Sequence, residues 1–200
     1  MSKKEIEQKM RRAAVWQLSE KGFTVDDVSS GSGVPKLSRL ELSKSGSVQN
    51  CITKFTTSGR IHFVREGETF KVLHDFDLVL HIYASSYDSE CVKVSLFTRA
   101  TVEKAFNAAY EALVGVGQAN IPIWLSPEFE DGLRFTGSGF TDEALWSEVV
   151  NISNAQLDHL AVGDESPESG AGIMEQIKSL LSKHMGVHSD QLEIDVRIKH

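Results

Sequence analysis

The stretch from residue 37 to residue 65, LSRLELSKSGSVQNCITKFTTSGRIHFVR, decides the fold. Leu37, Leu40 and Leu42 alternate imperfectly with polar residues, and Ser43-Lys44-Ser45-Gly46-Ser47 supplies a hairpin turn. Residues 48–57 follow as the partner strand. Ser58-Gly59 turns the chain again into residues 60–65, so the economical reading is an antiparallel meander of three strands.

On the N-terminal side, residues 3–21 place Ile6, Met10, Ala13, Ala14 and Trp16 at helical spacings, with Gly22 as a stop. Residues 23–25 are a short strand, and Ser29-Ser30-Gly31-Ser32-Gly33 is a loop. On the other side, residues 78–83 and 92–97 are the most apolar runs and are expected at the centre of a sheet. Thr101 is the expected N-cap of a helix running to Val114, closed by Gly115 or Gly117. Residues 121–125 form a short extended segment, and Thr141, Asp142 and Glu143 are expected to open a helix ending near Ile152.

The main domain is expected to span residues 1–162. Residues 163–170 contain no apolar side chain, which marks residues 163–171 as a linker. Residues 172–200 then read as a helix (173–185) and an alternating strand (192–198). One helix and one strand cannot bury themselves, so this tail is expected to dock on the main domain, on a second copy or on a protein partner.

At 200 residues, 40% hydrophobic and 24% charged, the chain is of ordinary globular composition. Cys51 and Cys91 both lie in apolar runs and are expected to be buried free thiols, which suggests a reducing, cytoplasmic setting. The sequence lacks a run of 18 apolar residues and an apolar signal core, so neither membrane insertion nor secretion is expected. The net charge of −7 hides a division. Residues 1–75 carry 13 Lys+Arg against 9 Asp+Glu, whereas residues 117–170 carry 10 Asp+Glu against Arg134 alone. A basic first half is the part suited to a polyanion.

Several chemistries are disfavoured. Gly31-Ser32-Gly33 lacks the third glycine and the strand-to-helix setting of a dinucleotide loop, and no Gly-Lys-Ser/Thr phosphate loop exists. His74, Asp75, Asp77 and His81 invite a zinc reading, but their spacing suits a sheet edge as well, and no metal ligand is assigned. Trp16, Trp124 and Trp146 sit in apolar or amphipathic runs and are expected to be core or interface anchors.

Residues 51–61, Cys-Ile-Thr-Lys-Phe-Thr-Thr-Ser-Gly-Arg-Ile, resemble the second core strand of the PD-(D/E)XK nuclease-like superfamily, which ends in an acidic-x-Lys triplet often followed by Thr. The order of elements over residues 3–114 is similar, and Asp75-Phe76-Asp77-Leu78-Val79 looks like the entry to the next strand. The resemblance implies an α/β (α+β) chain with a restriction-endonuclease-like mixed sheet flanked by helices, carrying a C-terminal helix-strand appendage. It also implies that Lys54 stands at the family lysine, which positions the attacking water near a phosphate.

The sequence departs from the pattern where the family holds its cation. Ile52 stands two residues before Lys54, and the hairpin position expected to be Asp falls near Ser38 or Arg39. Mg²⁺, the cofactor such a nuclease would use, is held by carboxylates that Ile and Arg cannot replace. Glu41 and Asp77 are the candidates for relocated acids beside Lys54. Without them the scaffold presents Arg39, Lys54, Arg60 and Arg65 to phosphates. The expected function is association with DNA or RNA, with or without cleavage. The alternative is a non-enzymatic protein-interaction subunit of a larger complex.

Overall fold

The computed structural model describes residues 3–30, 34–128 and 136–152. The chain forms α1 (Lys3–Glu20), β1 (Thr24–Asp27), β2 (Arg39–Lys44), β3 (Ser47–Thr56), β4 (Ile61–His62), β5 (Arg65–Glu66) and β6 (Thr69–Phe70). It continues through β7 (Leu78–Tyr83), β8 (Cys91–Thr98), α2 (Arg99–Gly115), β9 (Trp124–Leu125) and β10 (Trp146–Asn151). Six strands make one mixed sheet in the order β1-β2-β3-β7-β8-β10, in which β3 and β7 are parallel and the other neighbours antiparallel. The expected linker at 163–171 and the helix-strand tail at 172–200 lie outside the described residues, as does the Gly31-Ser32-Gly33 loop.

Because side chains alternate along a strand, the sheet offers two faces, and each takes one helix. Met10, Ala13, Ala14 and Leu18 of α1 pack with Leu40, Leu42, Leu78, Leu80, Ile82, Val94 and Leu96. Val102, Ala105, Phe106 and Ala109 of α2 pack with Ile52, Val79 and Phe97. Phe106 anchors that second layer, meeting Phe63 and Phe70 edge-on at ring-centroid distances of 5.5 and 5.2 Å. The first helix ends as expected: Gly22 has φ +83, and Phe23 N–H closes onto Leu18 C=O at 3.1 Å.

Four expectations change. The antiparallel meander is β1-β2-β3, and residues 60–65 are not its third strand. Ile61 and His62 pair instead with Leu125 and Trp124, in a ribbon separate from the main sheet. β7 takes the place beside β3 because its run of buried residues from Leu78 to Ile82 needs cover on both faces, which only a central strand has. The helix expected over 141–152 is a single 3-10 turn, Thr141–Glu143, followed by β10. There β-branched Val149 and Val150 suit an extended chain, and all six residues complete the open side of β8.

The α2 cap is Thr98 rather than Thr101: the Thr98 hydroxyl accepts from Thr101 N–H at 3.1 Å. Cys91, expected to be buried, is exposed because it is the first residue of β8, at the sheet's end, whereas Cys51 is buried. Behind α2 the chain passes very close at Gly137, where a Cβ would lie 2.2 Å from Ala105 O and φ is +88. Only glycine fits there, and its fit lets Phe140 reach Phe97 at 5.1 Å. None of the described helices is long and apolar enough to cross a membrane.

Candidate functional site

The hairpin register puts Arg39 directly opposite Ile52, with Lys54 two residues further along the same face. Ile52 is the position two before Lys54, and Arg39 is one of the two hairpin positions, with Ser38, near which an acid was expected; they hold a buried aliphatic side chain and a guanidinium. The two candidate acids lie in another row. Asp26 pairs with Glu41 and Glu41 with Asn50, while Asp77 Oδ2 accepts from Asn50 N–H at 3.0 Å. That row stands four residues from Lys54, roughly 13 Å along the strand at about 3.3 Å per residue. Lys54, Glu41 and Asp77 are therefore not brought together. Among the described residues no group of three His, Cys, Asp or Glu side chains is placed to hold a metal ion.

The predicted phosphate contacts are dispersed. Arg39 is exposed, with its guanidinium 6.0 Å from the Phe76 ring centroid. Arg65 lies against α2, 3.7 Å from the Tyr110 centroid, and donates to Asn107 Oδ1 at 3.2 Å and Gly67 O at 3.1 Å. Arg60 is half-buried beside Trp124 on a groove of about 300 Å³ under α2. Lys54 is the most enclosed: Nζ stands 4.3 Å from the Phe63 centroid and donates to His62 O at 3.3 Å. Burial, and then the Arg11 guanidinium, lower its pKa. Among the described residues, Arg39, Lys54 and Arg65 meet aromatic rings and neutral acceptors, and none of the three meets a carboxylate at ion-pair distance.

A second polar region was not recognised in the sequence. On the α2 face, beyond the apolar row of Ile52, Val79 and Phe97, comes a row of Lys54, His81, Ser95 and Ser147, each on a neighbouring strand. His81 and Ser95 are buried in central strands, which also removes the sheet-edge reading of His81. Ser95 Oγ and Ser147 Oγ share a hydrogen bond of 2.8 Å, whereas His81 Nε2 is buried with no partner. Burial, with Lys93 nearby, pushes the His81 pKa down to about 3, so the ring is neutral at physiological pH.

The next row runs Thr56, Tyr83, Lys93 and Val149, and a cleft of about 390 Å³ opens over it. Lys93 Nζ meets Glu128 Oε2 at 2.5 Å there, and Glu128 Oε1 accepts from the Thr141 hydroxyl at 3.0 Å. The signal was present in the sequence as polar residues at alternate positions of two apolar runs, His81 in one and Lys93 and Ser95 in the other. Trp124, expected to be an anchor, is 53% exposed and stacks on His62 at 4.6 Å. Burial, and then the neighbouring Lys54, lower the His62 pKa. Set beside known proteins, the chain matches no family model, no curated protein and no solved structure.

Proposed function

We propose that this chain is a nucleic-acid-binding module on a restriction-endonuclease-like scaffold, one that binds without hydrolysis. The observation that carries the reading is the Arg39–Ile52 pair, which puts a guanidinium and an aliphatic side chain, not carboxylates that could hold a hard divalent cation, on the strand positions beside Lys54. A second feature supports binding. The aromatic faces under Arg39 and Arg65 order these side chains without neutralising them, so their charge remains available to phosphate oxygens at a reduced entropic cost. Lys54, enclosed by Phe63 and His62, holds that region together rather than reaching a ligand directly.

Fluorescence anisotropy with labelled single- and double-stranded DNA and RNA tests this. Binding that weakens as salt rises is expected, and replacing both Arg39→Glu and Arg65→Glu should weaken it about tenfold or more and reduce the salt dependence. Unchanged affinity in the double variant removes the surface. Mg²⁺-dependent cutting that Glu41→Ala or Asp77→Ala abolishes overturns the non-hydrolytic reading.

A protein-interaction role has its own support. Trp124 and Ile121 are exposed beside the groove under α2, with Val114 and Val116 exposed at that helix's C-terminal end. If no nucleic acid binds, that face is the part to probe for a protein partner.

A further inference from the structure

The cleft over β7, β8 and β10 is built in a way that stability does not explain. A sheet face under a covering ribbon is most cheaply filled with aliphatic side chains, as the row of Ile52, Val79 and Phe97 is. Here the sheet presents Tyr83 and Lys93 beside Val149, while His81, two residues before Tyr83 on the same face, lies beneath the cleft rather than in its lining, its Nε2 buried without a partner. The facing wall contributes Ser126 and Glu128. Enclosing an ion pair rarely adds net stability, and leaving a buried ring nitrogen without a partner costs stability outright. At about 390 Å³ the cleft lies in the size range of small-molecule sites.

Its chemistry narrows the ligand. Lys93 and Glu128 offset each other, so the cleft suits neither a simple anion nor a bare cation. A wholly apolar ligand would cover the remaining N–H groups of the Lys93 ammonium and the free lone pairs of the Glu128 carboxylate, beyond their contact with each other, without giving them partners. What fits is a flat, neutral molecule with an N–H for the Glu128 carboxylate and an adjacent acceptor for the Lys93 ammonium. Its ring would lie against the half-buried Tyr83, whose plane is within 10° of that of His81. We propose that this cleft binds the hydrogen-bonding edge of a nitrogen heterocycle of the nucleobase class, read by Lys93 and Glu128 and supported by Tyr83.

This proposal is independent of the basic surface, because a nucleoside carries no phosphate. Titration of the full chain with inosine, followed by ligand-observed NMR and calorimetry, should give saturable binding. 1-Methylinosine has the same ring without the N1–H and should bind at least about tenfold more weakly, since a hydrogen bond to a charged group is lost. Lys93→Met and Tyr83→Leu should each weaken inosine binding several-fold, with circular dichroism confirming that the variants fold. Arg39→Glu with Arg65→Glu should leave inosine binding unchanged, which separates this site from the proposed phosphate surface. Absence of saturable inosine binding, equal affinity for inosine and 1-methylinosine, or binding that survives both cleft substitutions overturns the assignment. The comparison of the two nucleosides uses the unaltered chain and decides the matter even where a variant fails to fold.

Discussion

The two faces of the six-stranded sheet are made from alternate residues of the same strands, yet they are built to different ends. Under α1 the buried positions are aliphatic from β2 through β8, with Leu40, Leu42, Leu80, Ile82, Val94 and Leu96 in continuous contact and Thr53 as an exception. Under α2 that pattern holds for one row, Ile52, Val79 and Phe97, and then gives way to Lys54, His81, Ser95 and Ser147. The first face is aliphatic with two isolated polar interruptions, Thr53 Oγ1 and Trp146 Nε1, each buried without a partner. The second carries a continuous polar row across four strands, and the place where the pattern changes marks where function is to be sought.

The largest difference should appear when adjacent residues of β7 are replaced. Leu80 points into the α1 layer and is fully buried, so Leu80→Ala should destabilise the chain by about 2–5 kcal/mol through lost transfer energy and a cavity. His81, the next residue, is equally enclosed, but its Nε2 has no partner. His81→Leu should therefore be close to neutral or stabilising, because it removes a desolvated polar group without leaving another unpaired. Urea denaturation of the two variants measures both. A loss in His81→Leu as large as in Leu80→Ala would show that the polar row is itself part of the stabilising core.

The sequence shows these two faces unequally. Period and propensity place α1, β2, β3, β7, β8 and α2, because each combines a long pattern with a clear stop such as Gly22 or the Ser45-Gly46 turn. They do not place β10, whose entry through Thr141, Asp142 and Glu143 imitates a helix start. The sheet's need for a partner along β8 decides that segment, and this is a tertiary demand with no local mark. Residues 60–65 fail for the same reason, since an apolar β7 outcompetes them for the side of β3. Of the candidate site, the identities of Ile52 and Arg39 at strand positions beside Lys54 were legible directly. The row from Lys54 to Ser147 was not, because it exists only once the registers of four strands are known.

A smaller effect, of fixed sign, concerns pH. A buried His81 with a pKa near 3 stays neutral in the folded chain while the unfolded chain takes up a proton below 6.5. Protons then bind the unfolded state preferentially, so the folded state is fully favoured above pH 6.5 and loses stability as the pH falls from there toward 3. The slope approaches about 1.4 kcal/mol per pH unit for this group alone. Subtracting the profile of His81→Leu from that of the unaltered chain isolates it. Identical slopes in the two proteins would mean that the ring is protonated inside the fold, with a partner that offsets the charge.

The smallest effect lies in the Ser95–Ser147 pair, which joins β8 to β10 through one hydroxyl hydrogen bond of 2.8 Å. If this pair belongs to the row's polar design, each hydroxyl is there for the other. Ser95→Ala should then cost about 1 kcal/mol by leaving Ser147 without its partner, and Ser147→Ala should cost about the same. The double substitution should cost less than the sum of the two, because no polar atom is left behind, giving a coupling of about 1 kcal/mol in a double-mutant cycle. Strict additivity would mean that water satisfies each hydroxyl separately and that the region is wet up to β8. In that case the cleft over Tyr83 and Lys93 extends inward past Ser95, and the boundary between the two kinds of packing runs one row closer to Ile52, Val79 and Phe97.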